Sequence, residues 1–553
     1  MSAVRRILVV NLTRFGDLLQ TSPVIVGLRE QHPEARITAL VPRNFVDVAQ
    51  GLPGVDDVRP FDFDGLARLL LAGKSTDLRA AYAIVETLVA ELRAERFDLA
   101  VNYSSSRMSA VLLGLIGAPD TRGWTMTPDG HRLITHPWSR VFSGSCLHRR
   151  QQPFNLVDYY KRAAGVVGGP QRLFFEVPAA ARERATELLA AHGAPESTPL
   201  VALQLAASRE VRRWPTDSFV ALGRALHERL GAHMVLIGGG GDRPYAEEVA
   251  AALGPIAVDL CGRTSIAELG AVLARTRALV TGDTGPMHMA VAVGTPVVSL
   301  FFGPALPFDT GPYGVDHVCL HADVPCAPCG HSVTCLDPFC RDTIAPAAVA
   351  DAVVARCDQD WEALGAAADR HPAIRWYRTR FDAEGLFNLE RLGSAPTDRR
   401  EQLRRAYRAM WKQALDGTLP TFMGPRLERE AAVLRELAPL AAEGATRAAV
   451  VEDLARRAPE LHALEDAARR VEDAAADLYR FGATHDQAAF LIQVFRFDKE
   501  NIAGDGVAEI ARATRILHEE LARRARLLAD LLDPPAPAAS VMSARGGDDA
   551  RSS

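Results

Sequence analysis

The stretch Ile7-Leu8-Val9-Val10-Asn11-Leu12-Thr13-Arg14-Phe15-Gly16-Asp17 runs from an unbroken apolar segment through a polar loop to a glycine and an aspartate. A short apolar run bounded by polar residues reads as a buried strand, and the residues after it open a helix. Gly16 lets the backbone turn tightly at that junction. In a doubly wound sheet, ligands bind outside the carboxyl ends of the strands, so this loop lies at the mouth of a cleft with the Asp17 carboxylate aimed into it. An aspartate at a helix start is also the commonest N-cap. Spacing alone leaves both readings of Asp17 open.

Outward from this stretch the same alternation repeats. Residues 23–31 have helical period, 37–41 read as a second strand, 82–96 as a long helix and 98–102 as a further strand. Strand and helix in alternation predict a parallel sheet with helices on both faces. Residues 166–178, with Gly168, Gly169, Pro170 and Pro178, read as a joint. A second series then begins, with strands at 200–205, 234–237, 257–260, 278–281 and 296–302 and a helix over about 217–231. From about residue 360 the strand pattern stops, and Ala, Leu, Arg and Glu dominate 399–532 at helical spacing. The predicted class is α/β: two Rossmann-like doubly wound domains facing a cleft, 1–178 and 179–360, an all-α appendage over 361–533, and a disordered tail over 534–553 rich in Pro, Ala, Ser, Gly and charge.

Bulk properties agree with that plan. A chain of 553 residues suits two to four domains. Hydrophobic residues at 48% and charged residues at 24% are the composition of a globular protein, and the net charge of −5 argues against a nucleic-acid binder. No apolar run approaches a membrane span. The run after Val4-Arg5-Arg6 is too short for a signal peptide and leads straight into the polar loop, so a cytoplasmic location is expected. Eight cysteines in a chain of this size do not make a disulfide scaffold.

Two further segments at strand ends carry chemistry. Gly282-Asp283-Thr284-Gly285-Pro286-Met287-His288 lies between a strand and a small-residue helix; Asp283 or Thr284 can cap that helix and Pro286 fits its first turn. The free amides of that turn, with the helix dipole behind them, can seat a diphosphate. Ser208-Arg209-Glu210-Val211-Arg212-Arg213-Trp214-Pro215 follows the first strand of the second series, and its arginines can neutralise phosphate there; alone, such a run is equally a solvated surface.

With these segments in order, the chain resembles glycosyltransferase family 9, the ADP-heptose:lipopolysaccharide heptosyltransferases. The resemblance rests on I-L-V-V-N-L-T-R-F-G-D-L-L-Q-T-S-P-V at 7–24, R-R-W-P-x-x-x-F at 212–219, the segment at 282–292 and G-T-P-V-V-S-L-F-F-G-P at 294–304, and it covers about residues 5–385. It implies the GT-B fold, with acceptor on the first half and nucleotide on the second. Asp17 falls where the family has its catalytic base, and Thr13 and Arg14 beside it fall on the acceptor side. Arg212, where relatives often carry Lys, and Asp283, Thr284 and Gly285 fall where the family holds the nucleotide diphosphate and sugar, with His288 as support. The implied reaction is inverting transfer of a heptose or related sugar from an ADP-sugar to a lipopolysaccharide core or another lipid-linked glycan, at the inner membrane surface. Alternatives are a transferase using another nucleotide sugar, a sugar-nucleotide epimerase sharing the two-half plan, and a binding protein that has lost activity.

Other signals compete. Asp62-Phe63-Asp64 and Asp358-Gln359-Asp360 are D-x-D patterns that bind metal in another glycosyltransferase class, but both read as turns. Gly238 to Gly241 follow a strand, yet the sixth position of a dinucleotide fingerprint is Arg243, so Gly238 and Gly239 read as opening the cleft to the donor. Cys326, Cys329, Cys335 and Cys340 form C-x2-C-x5-C-x4-C, with His321 and His331 nearby, and could hold structural zinc or an iron–sulfur cluster. The family requires no cofactor, so none is expected for activity.

Overall fold

The computed structural model describes residues 4–535 apart from Gly73, Glu196, Ala206, Ser208, His331, Ser332, Thr421, Met423, Ala458 and Pro459. Ser208, His331 and the expected tail from residue 536 onward therefore lie outside the described residues. The chain divides into two compact units, Met1–Asp398 with Arg496–Ala503, and Arg399–Phe495 with Gly504–Ser553.

The first unit holds two sheets. In one, β1 (Arg6–Val10), β2 (Arg36–Pro42), β3 (Asp57–Phe61), β4 (Leu99–Asn102), β5 (Asp120–Met126) and β6 (Arg132–Thr135) lie in the order β3-β2-β1-β4-β5-β6. All neighbours are parallel except β5 and β6. Successive side chains of a strand point to opposite faces. Accordingly Ile7 and Val9 pack with Val24, Ile25 and Leu28 of the helix Ser22–Gln31, while Leu8 and Val10 pack with Leu66, Leu92, Leu112 and Leu113 on the other face. Both faces are buried, which is why β1 is apolar throughout rather than alternating.

The second sheet comprises β7 (Leu200–Gln204), β8 (His233–Ile237), β9 (Ala257–Asp259), β10 (Ala278–Gly282), β11 (Val297–Phe301), β12 (Val318–Ala322), β13 (Ile374–Phe381) and β14 (Phe387–Arg391), in the order β14-β13-β12-β11-β10-β7-β8-β9. The strands from β7 to β12 are parallel; β13 and β14 join antiparallel.

These last two strands correct the expected start of the helical appendage at 361. Residues Trp361–Arg370 form a helix, and Ile374–Arg391 then completes the second sheet. The arginines of β13 hid it, because a strand written Ile-Arg-Trp-Tyr-Arg-Thr-Arg-Phe lacks an apolar run. Each of those arginines is neutralised: Arg375 meets Asp323 at 2.5 Å, and Arg378 and Arg380 meet Asp316 at 2.7 and 3.0 Å. Arg378 also lies 3.5 Å over the Trp361 ring.

The first unit also contains Arg496–Ala503, which closes the edge of β6. The Ile134 amide donates to Asn501 Oδ1 at 2.8 Å, and Arg140 Nε donates to Asp498 at 2.6 Å. With the Ile134 amide satisfied in this way, the edge is less open to pairing with another chain. In the second unit the helices Glu428–Arg456 and Val507–Leu532 bury small residues such as Ala438, Ala441, Ala445, Ala522 and Ala525, with Gly444 leaving room for the fully buried His518.

Candidate active site

Each sheet has one place where the chain order reverses. The chain runs from β1 through β2 to β3 on one side and then sets β4 on the other side of β1; likewise it runs from β7 through β8 to β9 and then sets β10 beside β7. At such a point two loops diverge from adjacent strand ends and leave a crevice. Residues 11–17 follow β1 at the first reversal. Arg212 follows β7 and Asp283 follows β10 at the second.

At the first reversal the loop is fixed by its own polar groups. The Leu12 amide donates to Ser104 Oγ of the loop after β4 at 2.7 Å, and the Thr13 hydroxyl donates to Asn11 Oδ1. The helix Phe15–Leu19 begins here, with Arg14 as the residue before it. Asp17 is therefore not the N-cap; it sits in the first turn, where its carboxylate accepts the Arg14 amide at 3.3 Å. Burial pushes the Asp17 carboxyl above the ordinary aspartate range, outweighing its bonds to the Arg14 amide and Thr13; the charge of Asp283 adds to the rise. The Arg14 side chain is exposed.

At the second reversal Arg212 donates to the Asp283 carboxylate at 2.9 Å and to the Asp283 carbonyl. The other carboxylate oxygen of Asp283 accepts the Thr310 hydroxyl at 3.0 Å. Neither Asp283 nor Thr284 caps the helix Gly285–Ala292: Thr284 precedes it, but its hydroxyl is turned to Thr281 Oγ1 at 3.0 Å. The first amides of this helix are thus left without a side-chain cap, while Pro286 occupies its first turn.

The two reversals meet. Phe15 packs on Gly285, where any side chain would collide with its ring. A Cβ on Gly16 would lie 2.8 Å from His288 Cδ2 and 3.3 Å from Gly285 Cα. The glycines at 16 and 285 thus bring the Asp17 turn against the helix at 285. His288 lies behind that turn, buried, with Nδ1 unpartnered among the described residues; burial pushes its pKa down to about 4, so it is a neutral packing group at physiological pH.

Several residues of this place carried no signal in the sequence. Tyr160 faces Asp17 closely enough that the carboxylate's charge, after burial, helps raise its phenol well above the ordinary range. Its carbonyl accepts the Tyr103 hydroxyl at 2.9 Å. With Asn102, Trp124, Ser139 and Phe142 these tyrosines line a recess at the ends of β4 and β5. Arg149 pairs with Asp309 at 2.5 Å and also donates to the Pro304 carbonyl. Burial raises Asp309 to about 6 despite that partner. These contacts join residues from 57 to 160 positions apart, which no local pattern encodes.

Other expected residues lie elsewhere or serve other ends. Gly238 abuts Cys261, and a Cβ there would come within 2.8 Å of its sulfur; the Gly239 amide donates to Asp242 at 2.8 Å. They share the carboxyl edge of the second sheet with Asp283; packing against Cys261 requires a glycine at 238, whereas a Cβ on Gly239 would meet only Asp242 at an ordinary 3.6 Å. Of the other arginines in the run, Arg213 lies 3.8 Å over the Tyr245 ring and Arg209 donates to the Val333 carbonyl at 2.9 Å. Asp62 and Asp360 are helix caps, accepting the Gly65 and Ala363 amides at 2.8 and 2.9 Å. Cys329 feels the charges of Cys326, Cys340 and Cys335, after burial, as a rise in its own thiol pKa. Among the described residues, however, no group of three or more His, Cys, Asp or Glu is placed to hold a metal ion.

Residues 85–339 match the model of glycosyltransferase family 9 (heptosyltransferase). The chain is 27% identical over 294 residues to lipopolysaccharide heptosyltransferase 3 of Escherichia coli, spanning 52% of this chain and 80% of that one. It is 27% identical over 332 residues to lipopolysaccharide heptosyltransferase 1 of Pseudomonas aeruginosa, spanning 59% of this chain and 86% of the relative. A glycosyl transferase family 9 structure from Veillonella parvula superimposes with a TM-score of 0.51 at 21% identity, covering 65% of this chain and 100% of that chain, and shares its fold.

Proposed function

We propose, from the match of residues 85–339 to the glycosyltransferase family 9 (heptosyltransferase) model, that this glycosyltransferase transfers heptose from ADP-heptose to a lipopolysaccharide core, with inversion, using Asp17 as base. The observation that carries the proposal is the contact between the Asp17 turn and the helix at Gly285. It sets a carboxylate beside a helix N-terminus without a side-chain cap, which is the pairing that direct displacement from a nucleotide-diphosphate sugar requires.

In this reading the donor diphosphate lies against the first amides of the helix Gly285–Ala292, whose dipole favours negative charge. Arg212 holds Asp283 in place and turns the rest of its guanidinium to phosphate. The acceptor occupies the first half, beside the recess lined by Tyr103, Trp124 and Tyr160. Its hydroxyl oxygen attacks the anomeric carbon as the bond to the diphosphate breaks, from the opposite face, so the configuration inverts. Asp17 collects the hydroxyl proton. A carboxylate stripped of part of its water holds that proton more readily than one in bulk solvent, which suits a late proton transfer. The departing ADP carries away the bonding electron pair, its charge balanced by helix amides and arginine. The acceptor is lipid-linked, so the enzyme works at the cytoplasmic surface of the inner membrane.

The test is a paired assay with ADP-heptose and a heptose-deficient lipopolysaccharide acceptor, reading ADP release and the anomeric configuration of the product. One ADP per acceptor modified, with inverted configuration, is expected. ADP released without acceptor modification, or a preference for GDP- or UDP-sugars, refutes the assignment.

A further inference from the structure

Three helices cover one face of the first sheet: Phe63–Ala72, Ser75–Ala94 and Arg107–Ile116. Each buries apolar residues against that sheet, and each also carries apolar side chains that no described residue covers. In Arg107–Ile116 the inner face is Ala110, Leu112, Leu113 and Ile116; Met108, Val111 and Leu115, at the i, i+3, i+7 spacing of a single stripe, are exposed on the other. No charged residue follows Arg107 in this helix, and a helix apolar all round is ordinarily buried all round. On the other two helices Leu70, Leu71, Leu78 and Tyr82 are exposed, Leu71 at 87% and Tyr82 at 68%. Monomeric proteins rarely leave contiguous apolar surface of this kind without a use for it.

Charge says what the use is. Arg68, Lys74, Arg79 and Arg107 stand among these residues, all exposed, and among the described residues none is in an ion pair. The acidic groups on the same helices near them are Asp64 and Asp77, with Glu86 one turn beyond Tyr82, so the patch carries a basic excess at its apolar end. Apolar side chains interleaved with unpaired Lys and Arg match the interface of an anionic bilayer, where the chains enter the headgroup region and the cations meet lipid phosphates. Among the described residues no helix is long and apolar enough to cross a membrane.

We propose that the outer faces of Phe63–Ala72, Ser75–Ala94 and Arg107–Ile116 form the surface by which this protein lies on an anionic lipid bilayer. The topology gives this placement a purpose. The helices Phe63–Ala72 and Arg107–Ile116 begin directly after β3 and β4, at the same carboxyl edge from which the Asp17 loop leaves β1. A bilayer against them lies beside the edge at which an acceptor would enter. That purpose rests on the function proposed above; the surface itself does not.

The experiment is co-sedimentation of the full chain with vesicles of phosphatidylcholine alone or with added phosphatidylglycerol, for wild type, L71E/L78E and K74Q/R79Q. Circular dichroism and thermal melting establish that the variants fold. Wild type is expected in the pellet only with phosphatidylglycerol; the charge variant should bind about fivefold more weakly for each cation removed, and L71E/L78E should stay in the supernatant. Equal binding to both vesicle types, or unchanged binding of the folded variants, overturns the proposal. So does wild-type self-association that L71E/L78E abolishes, since the patch would then meet a second copy of the chain. Transfer to a water-soluble, delipidated acceptor should be unchanged in both variants. Vesicle binding without transfer to any acceptor would refute the proposed reaction and leave the surface standing.

Discussion

Two aspartates stand beside the reversal points of the two sheets, on opposite sides of them, and are treated in opposite ways. Asp17 follows β1, from which its sheet starts, while Asp283 follows β10, the strand set on the far side of β7 once the order has reversed. Asp283 is tied on both oxygens, to Arg212 and to the Thr310 hydroxyl, and spends its charge within the protein. Asp17 has the Arg14 amide and Thr13 for partners, faces Tyr160 and the charge of Asp283, and is driven by burial toward its protonated form. The same side chain is a brace where a guanidinium shares its site and, in the proposed reaction, a proton acceptor where none is bonded to it. Position in the topology selects the place; the partner selects the role.

The comparison can be broken most directly at Asp17. Asp17→Asn should cut transfer about a thousandfold while donor affinity stays near wild type, since general-base removal typically costs 10²–10⁴; turnover within a few-fold of wild type would remove the base assignment. Arg212→Ala should be the next largest, because it strands the Asp283 carboxylate. A stability loss of about 2 kcal/mol is expected for a charged hydrogen bond, with weakened ADP binding by calorimetry, and Arg212→Lys should restore more of the binding than of the stability. Unchanged ADP affinity in Arg212→Ala would confine Asp283 and Arg212 to structure.

Gly16→Ala tests the junction of the two sites. Its methyl meets the His288 ring, at a cost of about 1–3 kcal/mol for overpacking, and transfer should fall with it. Gly16→Ala/His288→Ala should recover part of that loss, because the clash is with the ring; purely additive losses would separate the two residues. The smallest effect is on pH dependence. A base with a raised pKa must be deprotonated to act, so the acid limb of kcat/KM should lie above the ordinary aspartate value of about 3.9, with activity falling as pH drops through it. His288, held near 4 by burial, should not contribute, and His288→Gln should leave the limb where it is.

Most of the parallel strands were legible because both their faces are buried, so β1, β2, β7, β8 and β10 are written almost wholly in apolar residues. Strand β13 was not, since arginines on both its faces interrupt the apolar residues and their neutralising partners lie far away in sequence. The candidate site divides in the same way. Asp17, Arg212 and Asp283 were readable, because each falls in a loop whose position follows from the strand before it. Tyr160, Thr310 and the Arg149–Asp309 pair were invisible, because only the closed fold brings them there. Capping was not legible locally: Asp17 sits inside its helix and accepts the amide of Arg14 before it, and Thr284 turns its hydroxyl away from the helix it precedes.

The clasp on β6 has a consequence in time rather than in space. Ile134 and Asn501 are 367 residues apart in the chain, so the edge of the first sheet stays open until nearly the whole polypeptide has been made. At roughly 5–20 residues per second of synthesis, that interval is on the order of tens of seconds. A bare strand edge held open so long is a standing invitation to wrong pairing during biogenesis. Chains shortened before Asp498 should therefore aggregate as they are produced, even though every residue of the two reversal loops is present in them.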